Sequence, residues 1–362
     1  MAKEYRSQTL AKYRDKNQDL LMSLPEFCKG YEISISGHNE NNTITRYLEK
    51  LNFFFKWLKQ SNPFFSNKPI SEITIDDMKY LKKADFEEFL HYIELNGARL
   101  ENEIKELKTV GKYIKPLSPS TRNNYLCALN SLFNYFVDEE YLDVNYVARI
   151  RQKRVPNKTK IILDDEQKEK LLDAVDYGTI NNSAQQEASR KKNQIRDHAI
   201  LLILYRTGIR VSELVGLDDT DIDFKKHGFK VIRKRGAEEF VYFDDEVEQV
   251  LKDLLEDRKH YHPVDNERAL FLTSKGSKRG SRISVRSVQI LVKKYSELST
   301  PEIGNALHPH SFRATCTTDI LNKTNGDIRL AKAVMGHMSI ETTTHYYNED
   351  ESLRESNRNL LL

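Results

Sequence analysis

Apolar residues in the first half of the chain recur at helical spacing. Over residues 44–58 they fall three and four positions apart, which predicts an amphipathic helix that ends before Asn62. A second helix is predicted over 85–95. A third begins at Ser118-Pro119, where an N-cap residue precedes a proline at the first helical position. Residues 1–30 have weaker periodicity but still resemble a helical extension. This half is therefore predicted to be entirely helical.

The second half of the chain has a different pattern. Asp164 and Gln167 have the spacing of a capping box at the start of a helix. Two short runs, 229–233 and 239–243, flank a turn at Gly236 and predict a β-hairpin. The polar run 178–194 predicts a loop. Further helices are predicted over 197–205, 245–258, 284–296, 313–322 and 342–348. The expected fold class is mainly α with a small β-sheet.

A basic segment separates the two halves. The stretch RIRQKRVPNKTK, residues 149–160, contains six basic residues and no acidic residue. We place a domain boundary there, with a helical domain over 1–155 and an α+β domain over 156–362. A second basic stretch covers 275–286. The net charge is only +3, so positive charge is concentrated in patches, and the two patches together indicate a phosphate-binding surface, although each alone could be a solvated loop.

Composition excludes several other classes of protein. No apolar run reaches the roughly 18 residues that a membrane span needs, and the N-terminus is polar throughout. A cytoplasmic location without membrane partners is therefore expected. Cys28, Cys127 and Cys316 are far apart and lack metal-ligand spacing, so neither a disulfide framework nor a zinc site is indicated. We expect no metal and no cofactor.

Four short segments combine cations or a nucleophile with a structural break. They are TGIRVSELVGL (207–217), VIRKRGAEEFVYF (231–243), HPHSFRATC (308–316) and VMGHMSIETTTHYY (334–347). Cleavage of a phosphodiester without a metal needs a nucleophilic hydroxyl, cations around the non-bridging oxygens and a proton for the leaving oxygen. Arginine can clamp two phosphate oxygens, lysine and histidine can transfer protons, and a tyrosine phenol ionises more readily than a serine hydroxyl. The segments contain the residue types for this chemistry.

In this order the four segments resemble the catalytic domain of the tyrosine recombinases, the Xer and phage integrase family. The resemblance covers roughly residues 160–350. It implies a helical core-binding domain followed by an α+β catalytic domain. It also implies a set of catalytic residues at the matching positions, with Glu213 as a supporting acid: Arg210, Lys234, His310, Arg313, His337 and Tyr346.

The resemblance also implies a role for each of these residues. Tyr346 attacks the DNA and forms a 3′-phosphotyrosyl bond, Lys234 protonates the 5′ leaving oxygen, and His310 assists proton transfer. The two arginines and His337 stabilise the phosphate. Tyr347 is disfavoured as nucleophile because the spacing from the Gly-His pair selects Tyr346, and adjacent helical residues point about 100° apart.

The chain departs from the family pattern at three places. Arg233-Lys234-Arg235 replaces a frequent Gly-Lys-Gly in the hairpin, Ala314 replaces a common histidine, and Tyr347-Asn348 replaces a frequent Thr-His. Taken singly, each arginine could be a structural ion-pair partner, each histidine a satisfied polar residue and the tyrosine a packed aromatic. Their joint occurrence in family order argues for a catalytic site instead. His308 is left outside it by the His-x-x-Arg spacing.

Residues 117–136 resemble, more loosely, a helix of the family's core-binding domain that lies against DNA. Its polar face is expected to point outward with Arg122, Asn123 and Asn130, which can contact phosphates or base edges; a merely solvated face is the alternative. Further DNA-contact candidates lie in the basic stretches: Arg151, Lys153, Arg154, Lys278 and Arg279.

The implied partner is double-stranded DNA, bound by a homo-tetramer on two sites that exchanges strands through a Holliday junction. The final residues, Leu360, Leu361 and Leu362, are hypothesised to dock on a neighbouring subunit. Expected functions are Xer-like chromosome-dimer resolution or integration and excision of a mobile element, with a second recombinase or accessory protein as a possible partner and a location at the nucleoid. The alternative is a non-catalytic DNA-binding protein on a recombinase scaffold.

Overall fold

The chain divides into two compact units. The computed structural model describes residues 2–156, 160–178, 183–233 and 236–336. One unit is Ser7–Asn157, and the other is Lys158–Leu362 together with Met1–Arg6. The sequence places the boundary at 155/156, so the division lies two residues further on, and the first six residues belong to the second unit. Within the described ranges, no helix combines the length and the apolar character that crossing a membrane requires.

The unit Ser7–Asn157 is helical, as expected from its periodicity. Its helices are α1 (Ala2–Met22), α2 (Phe27–Ser36), α3 (Asn41–Ser61), α4 (Ile75–Met78), α5 (Lys83–Asn96), α6 (Glu101–Thr109) and α7 (Pro119–Asp138). An aromatic core joins α3, α5 and α7: the rings of Phe54 and Phe89 meet edge to face with centroids 5.0 Å apart, and Phe86 meets Phe133 at 4.8 Å. Such pairs stabilise a core beyond the burial of their area.

The other unit contains the remaining helices and a three-stranded antiparallel sheet. The helices are α8 (Asp165–Asp176), α9 (Ala184–Thr207), α10 (Val211–Gly216), α11 (Asp245–Asp257), α12 (Val285–Ser299), α13 (Pro309–Lys323) and α14 (Ile328–Met335). The strands are β1 (Ile222–Asp223), β2 (Gly228–Ile232) and β3 (Glu238–Tyr242), in the order β1-β2-β3. In the hairpin, Phe229 pairs with Val241 and Ile232 with Glu238.

Helix α9 is central to the second unit. Residues 199–204 are all fully buried, as expected for a helix surrounded by other elements. The predicted loop over 178–194 is wrong from Ala184 onward, because the helix starts there behind a Ser183 cap. Polar residues in its first turns have hydrogen-bond partners within the unit. Arg190 pairs with Glu187 and donates to the carbonyls of Val175 and Asp176 at the end of α8, both at 2.7 Å. A polar run can therefore be helical.

Most predicted boundaries agree with the structure. The oxygen of Ser118 caps α7 and that of Asp164 caps α8. Helix α9 ends at Gly208, whose φ of +59° is left-handed, and the hairpin lies within one residue of its predicted strands. The mainly helical fold with a small sheet is confirmed. Short elements that the sequence did not indicate are α4, α6, α10, α14 and β1. The predicted helix over 342–348 lies outside the described residues.

Candidate active site

Arg210 lies directly before α10, three residues after the end of α9. Its backbone N–H donates to Glu213 Oε2 at 2.8 Å, and its Nη1 donates to Glu213 Oε1 at 2.7 Å. The Glu213 side chain is 3% exposed, whereas that of Arg210 is 37% exposed. A buried carboxylate thus holds the arginine from below and leaves part of the guanidinium at the surface, where a phosphate can reach it.

Arg313 is buried in the first turns of α13, with 1% of its surface exposed. Its Nη1 donates to the carbonyl of Gly208 at 2.5 Å, and its Nη2 donates to the carbonyl of Met335 at 2.5 Å. An arginine carries five N–H donors in one plane, so two carbonyls are enough to fix the orientation of that plane. Arg313 therefore joins the segment before Arg210 to the C-terminus of α14.

Two glycines allow these segments to approach each other. Gly208 has a φ of +59°, and a Cβ there would lie 2.7 Å from the sulfur of Met335. Gly336 has a φ of +58°, and a Cβ there would lie 2.7 Å from Glu239 Oε2. A larger residue at either position would be strained by the left-handed backbone and would have to displace the Met335 or Glu239 side chain. The glycines of the TGIR and GH motifs are therefore packing requirements of the site.

His310 shares the site with both arginines. Partial burial lowers its pKa first, and the positive charges of Arg313, His308, Lys160 and Arg210 lower it further. The structure therefore brings His310, Arg210 and Arg313 within electrostatic range of one another. A lowered pKa favours the neutral imidazole, which can accept a proton at neutral pH.

His308 lies beside His310, with the two ring centroids 6.3 Å apart. It precedes α13, and its backbone N–H and its Nδ1 lie 3.4 Å and 3.3 Å from the hydroxyl of Ser311. This contact belongs to the start of the helix. The remaining predicted catalytic residues, Lys234, His337 and Tyr346, lie outside the described residues.

Arg233 belongs to the site, although the sequence marked it only as a departure from the family pattern. It is 6% exposed. Its Nη1 donates to Glu213 Oε2 at 2.7 Å, and its Nε and Nη2 each lie 2.9 Å from Glu239. The sequence signal is an arginine where a glycine is frequent, and this signal does not reveal its two carboxylate partners, Glu239 across the hairpin and Glu213 on α10.

Two of the DNA-contact candidates on α7 are buried rather than outward. Arg122 is 8% and Asn123 is 9% exposed. Asn123 donates to the carbonyl of Lys153 at 2.7 Å and accepts from its N–H at 2.9 Å. Arg122 lies 3.3 Å from Glu94 and donates to the carbonyl of Arg151. The predicted outward face is wrong for these two residues, because the basic segment folds back over them.

The other DNA-contact candidates lie at or near the surface. Asn130 is half-buried and accepts from the side-chain amide of Asn145 at 2.9 Å. The rest are exposed, and of these Lys153 also pairs with Glu94 at 2.6 Å. The exposed residues are Arg151, Lys153, Arg154, Lys278 and Arg279. Their exposure leaves them accessible to a polyanion.

A group of potential metal ligands and a buried cysteine in this unit have structural explanations. Within the described part of the chain, one group of potential metal ligands lies within 4.8 Å: His227, Asp245 and Glu248. Two of the three are exposed, and Glu248 pairs with both His227 and Lys252, as in a surface ion-pair cluster. Burial raises the pKa of the Cys316 thiol to about 12, so this thiol is not a nucleophile.

The fold and the grouping of Arg210, Arg313 and His310 are those of a DNA strand-exchange enzyme of the tyrosine recombinase class. A model of the phage integrase family matches residues 162–352, and the chain belongs to this family. It is 30% identical to the tyrosine recombinase XerS of Streptococcus uberis over 89% of this chain and 91% of that one.

Solved structures share the fold. The Tn1549 transposon integrase in complex with transposon right end DNA is similar over 92% of this chain and 99% of that one, with a TM-score of 0.60 and 22% identity. The XerH site-specific recombinase bound to a palindromic difH substrate is similar over 88% of this chain and 80% of that one, with a TM-score of 0.59 and 21% identity.

Proposed function

We infer that this protein is a site-specific tyrosine recombinase that cleaves and rejoins DNA through a 3′-phosphotyrosyl intermediate, with Tyr346 as nucleophile. One observation supports this more than any other. Arg313 binds the carbonyls of Gly208 and Met335, so the segment that leads to His337 and Tyr346 starts beside Arg210 and His310. Gly208 and Arg313 are 105 positions apart in the sequence and are in contact in the structure. The motifs that contain them therefore lie together.

The predicted site residues have distinct chemical roles in this reaction. Arg210 neutralises the non-bridging oxygens as negative charge develops in the transition state, with His337 as a further donor. Arg313 shares this role once DNA binding makes its guanidinium accessible, because it is 1% exposed in the protein without DNA. Neutral His310 accepts the phenolic proton or passes it on, and Lys234 protonates the 5′ oxygen as it leaves. The bond to tyrosine conserves the energy of the phosphodiester, so a 5′ hydroxyl from a second duplex can reverse the step.

A nicked suicide DNA tests the nucleophile. The target site can first be recovered by selecting bound sequences from random DNA. Wild-type protein is expected to give a covalent adduct on a denaturing gel, Tyr346→Phe to give none and Tyr347→Phe to retain it. Because the two variants change adjacent residues in the same way, each is the matched control for the other. An adduct with Tyr346→Phe but not with Tyr347→Phe would move the nucleophile by one residue.

The same assay decides the alternative function. A non-catalytic DNA-binding protein would shift the selected DNA on a native gel and form no adduct with any variant. Similarity to XerS over 91% of that protein's length favours an Xer-like role at the chromosome over integration of a mobile element. A recovered site at one chromosomal position supports the first role, and a recovered site at the ends of a mobile element supports the second.

Strand exchange requires assembly on DNA. We place a tetramer on two duplex sites, associated with the nucleoid in the cytoplasm and held by the C-terminal residues Leu360, Leu361 and Leu362 of neighbouring subunits. A chain that ends at Asn359 should bind one site normally, form fewer tetramers on DNA and cleave more slowly. Unchanged assembly and cleavage would contradict the role of the tail. A second recombinase or accessory protein is tested by adding cell extract to the cleavage assay.

A further inference from the structure

Arg233 is an almost fully buried cation that connects two motifs of the site. Its planar fork binds both oxygens of Glu239 at 2.9 Å, and its Nη1 binds Glu213 Oε2 at 2.7 Å. Glu213 comes from α10 and Glu239 from strand β3. One guanidinium thus pairs with two carboxylates from different elements, which a lysine ammonium cannot do with the same geometry.

Glu213 is bound by both Arg233 and Arg210. Glu213 Oε2 accepts from Arg233 Nη1 and from the backbone N–H of Arg210, while Oε1 accepts from Arg210 Nη1. Three charge-assisted or backbone hydrogen bonds therefore hold one carboxylate in one rotamer. If Arg233 were absent, Oε2 would lose one of these bonds, and Glu213 could rotate together with the guanidinium it carries.

Arg233 also fixes the turn of the hairpin. Its backbone N–H donates to the carbonyl of Ala237 at 2.7 Å, and its carbonyl accepts from Gly236 at 3.1 Å and from Arg6 Nη1 at 2.7 Å. The next residue in the chain is Lys234. The same guanidinium also borders the C-terminal end of α14, where a Cβ at Gly336 would lie 2.9 Å from Arg233 Nε.

We propose that Arg233 is a positioning residue for strand cleavage, which acts through Glu213 to hold Arg210 against the scissile phosphate. The inference rests on the proposed function. Arg233 does not touch the reacting atoms in this assignment. Its buried charge is balanced by Glu213 and Glu239, and the phosphate meets Arg210, whose side chain is 37% exposed.

Two substrates separate positioning from a general loss of structure. One is the suicide DNA with its normal phosphodiester, and the other has a methylphosphonate at the cleavage position. The methyl group replaces a charged non-bridging oxygen, so the neutral linkage needs less help from Arg210. We expect Arg233→Lys to slow adduct formation on the phosphodiester by about 100-fold, the loss expected when a catalytic group is misplaced by about 1 Å. On the methylphosphonate the deficit should shrink to about threefold or less.

Two further variants serve as controls. Arg196→Lys changes another buried arginine of the same unit, which pairs with Asp197 at 2.6 Å and donates to the carbonyl of Leu272; it should react like the wild type on both substrates. Arg233→Met combined with Glu239→Leu removes the pair within the hairpin without leaving a lone charge there. It should stay folded and keep the phosphodiester deficit, because Glu213 still lacks its partner.

Equal deficits of Arg233→Lys on both substrates, or normal cleavage by the double variant, would overturn the proposal. Wild-type protein that forms no adduct would instead refute the proposed function. In that case a crystal structure of Arg233→Lys still decides the positioning role. A shifted Arg210 supports it, and an Arg210 that remains 2.7 Å from Glu213 Oε1, as in the unaltered protein, rejects it.

Discussion

Arg122 in the first unit and Arg210 in the second were both expected to face DNA, and their surroundings differ. Arg122 is 8% exposed, and its guanidinium contacts Glu94 and the carbonyl of Arg151. Arg210 keeps 37% of its side chain exposed above the buried carboxylate of Glu213. The chain thus covers Arg122, whereas it supports Arg210 from beneath. The neighbours of an arginine therefore decide whether it can bind a ligand.

The largest effect is expected at Arg210. Arg210→Ala removes a cation from the phosphate and leaves Glu213 without one of its partners, so cleavage should fall by about 100-fold to 1,000-fold. Single-turnover adduct formation on the suicide DNA measures it. The control is Arg206→Ala, because that arginine is exposed to a similar degree, 34%, and pairs with Glu246 instead. An equal loss in both variants would show that cleavage responds to lost charge in general.

A smaller effect, on stability, is expected at Asn123. Asn123→Ala removes two hydrogen bonds to the backbone of Lys153, which should lower the free energy of unfolding by about 1–3 kcal/mol. Urea unfolding measures the change. Asn124 is the matched control, since it is the same residue type at the next position of α7 and is exposed. If Asn124→Ala destabilises the protein as much, the two hydrogen bonds between Asn123 and Lys153 contribute no specific stability.

Three of the predicted site residues could be named from the sequence because the segments that contain them resemble a known family. Arg210, His310 and Arg313 were identified from short segments, and the structure brings the three together. Helix starts at Ser118 and Asp164 were predictable because a cap is a contact across only three residues.

Contacts between distant segments were not predictable from local patterns. Nothing near α7 in the sequence indicates that residues 151–153 return to cover Arg122 and Asn123. The partners of Arg233 are likewise set by tertiary structure. The polar start of α9 has the pattern of a loop, because apolar periodicity is absent there. The partners of Arg190 are carbonyls at the end of the preceding helix, and periodicity does not reveal such contacts.

A modest effect on DNA affinity is expected at Arg154, which is exposed in the basic segment. If it contacts a phosphate, Arg154→Ala should weaken binding to all sequences and reduce the slope of log K against log salt concentration by about 1. Binding titrations between low and moderate salt measure the slope. Arg154→Lys keeps the charge and should keep the slope. Arg122→Gln should leave it unchanged as well, and a reduced slope there would contradict the burial of Arg122.

The smallest effect is the titration of His310, which reports how close Arg210 lies to it. Unfolded histidine titrates near pH 6.5, and in the folded protein burial and the charges of Arg313, His308, Lys160 and Arg210 hold the pKa of His310 below that value. His310 is therefore neutral in both states above pH 6.5 and contributes nothing to stability there. As pH falls below 6.5 the unfolded state takes up the proton first, so the folded state loses stability.

NMR titration of the imidazole in the protein without DNA should give a midpoint below about 6.5. Arg210→Ala should raise that midpoint because it removes one positive neighbour, whereas Arg122→Gln should not change it. A midpoint at or above the ordinary value, or one that does not respond to Arg210→Ala, would mean that the cationic cluster of the site is more open than its geometry indicates.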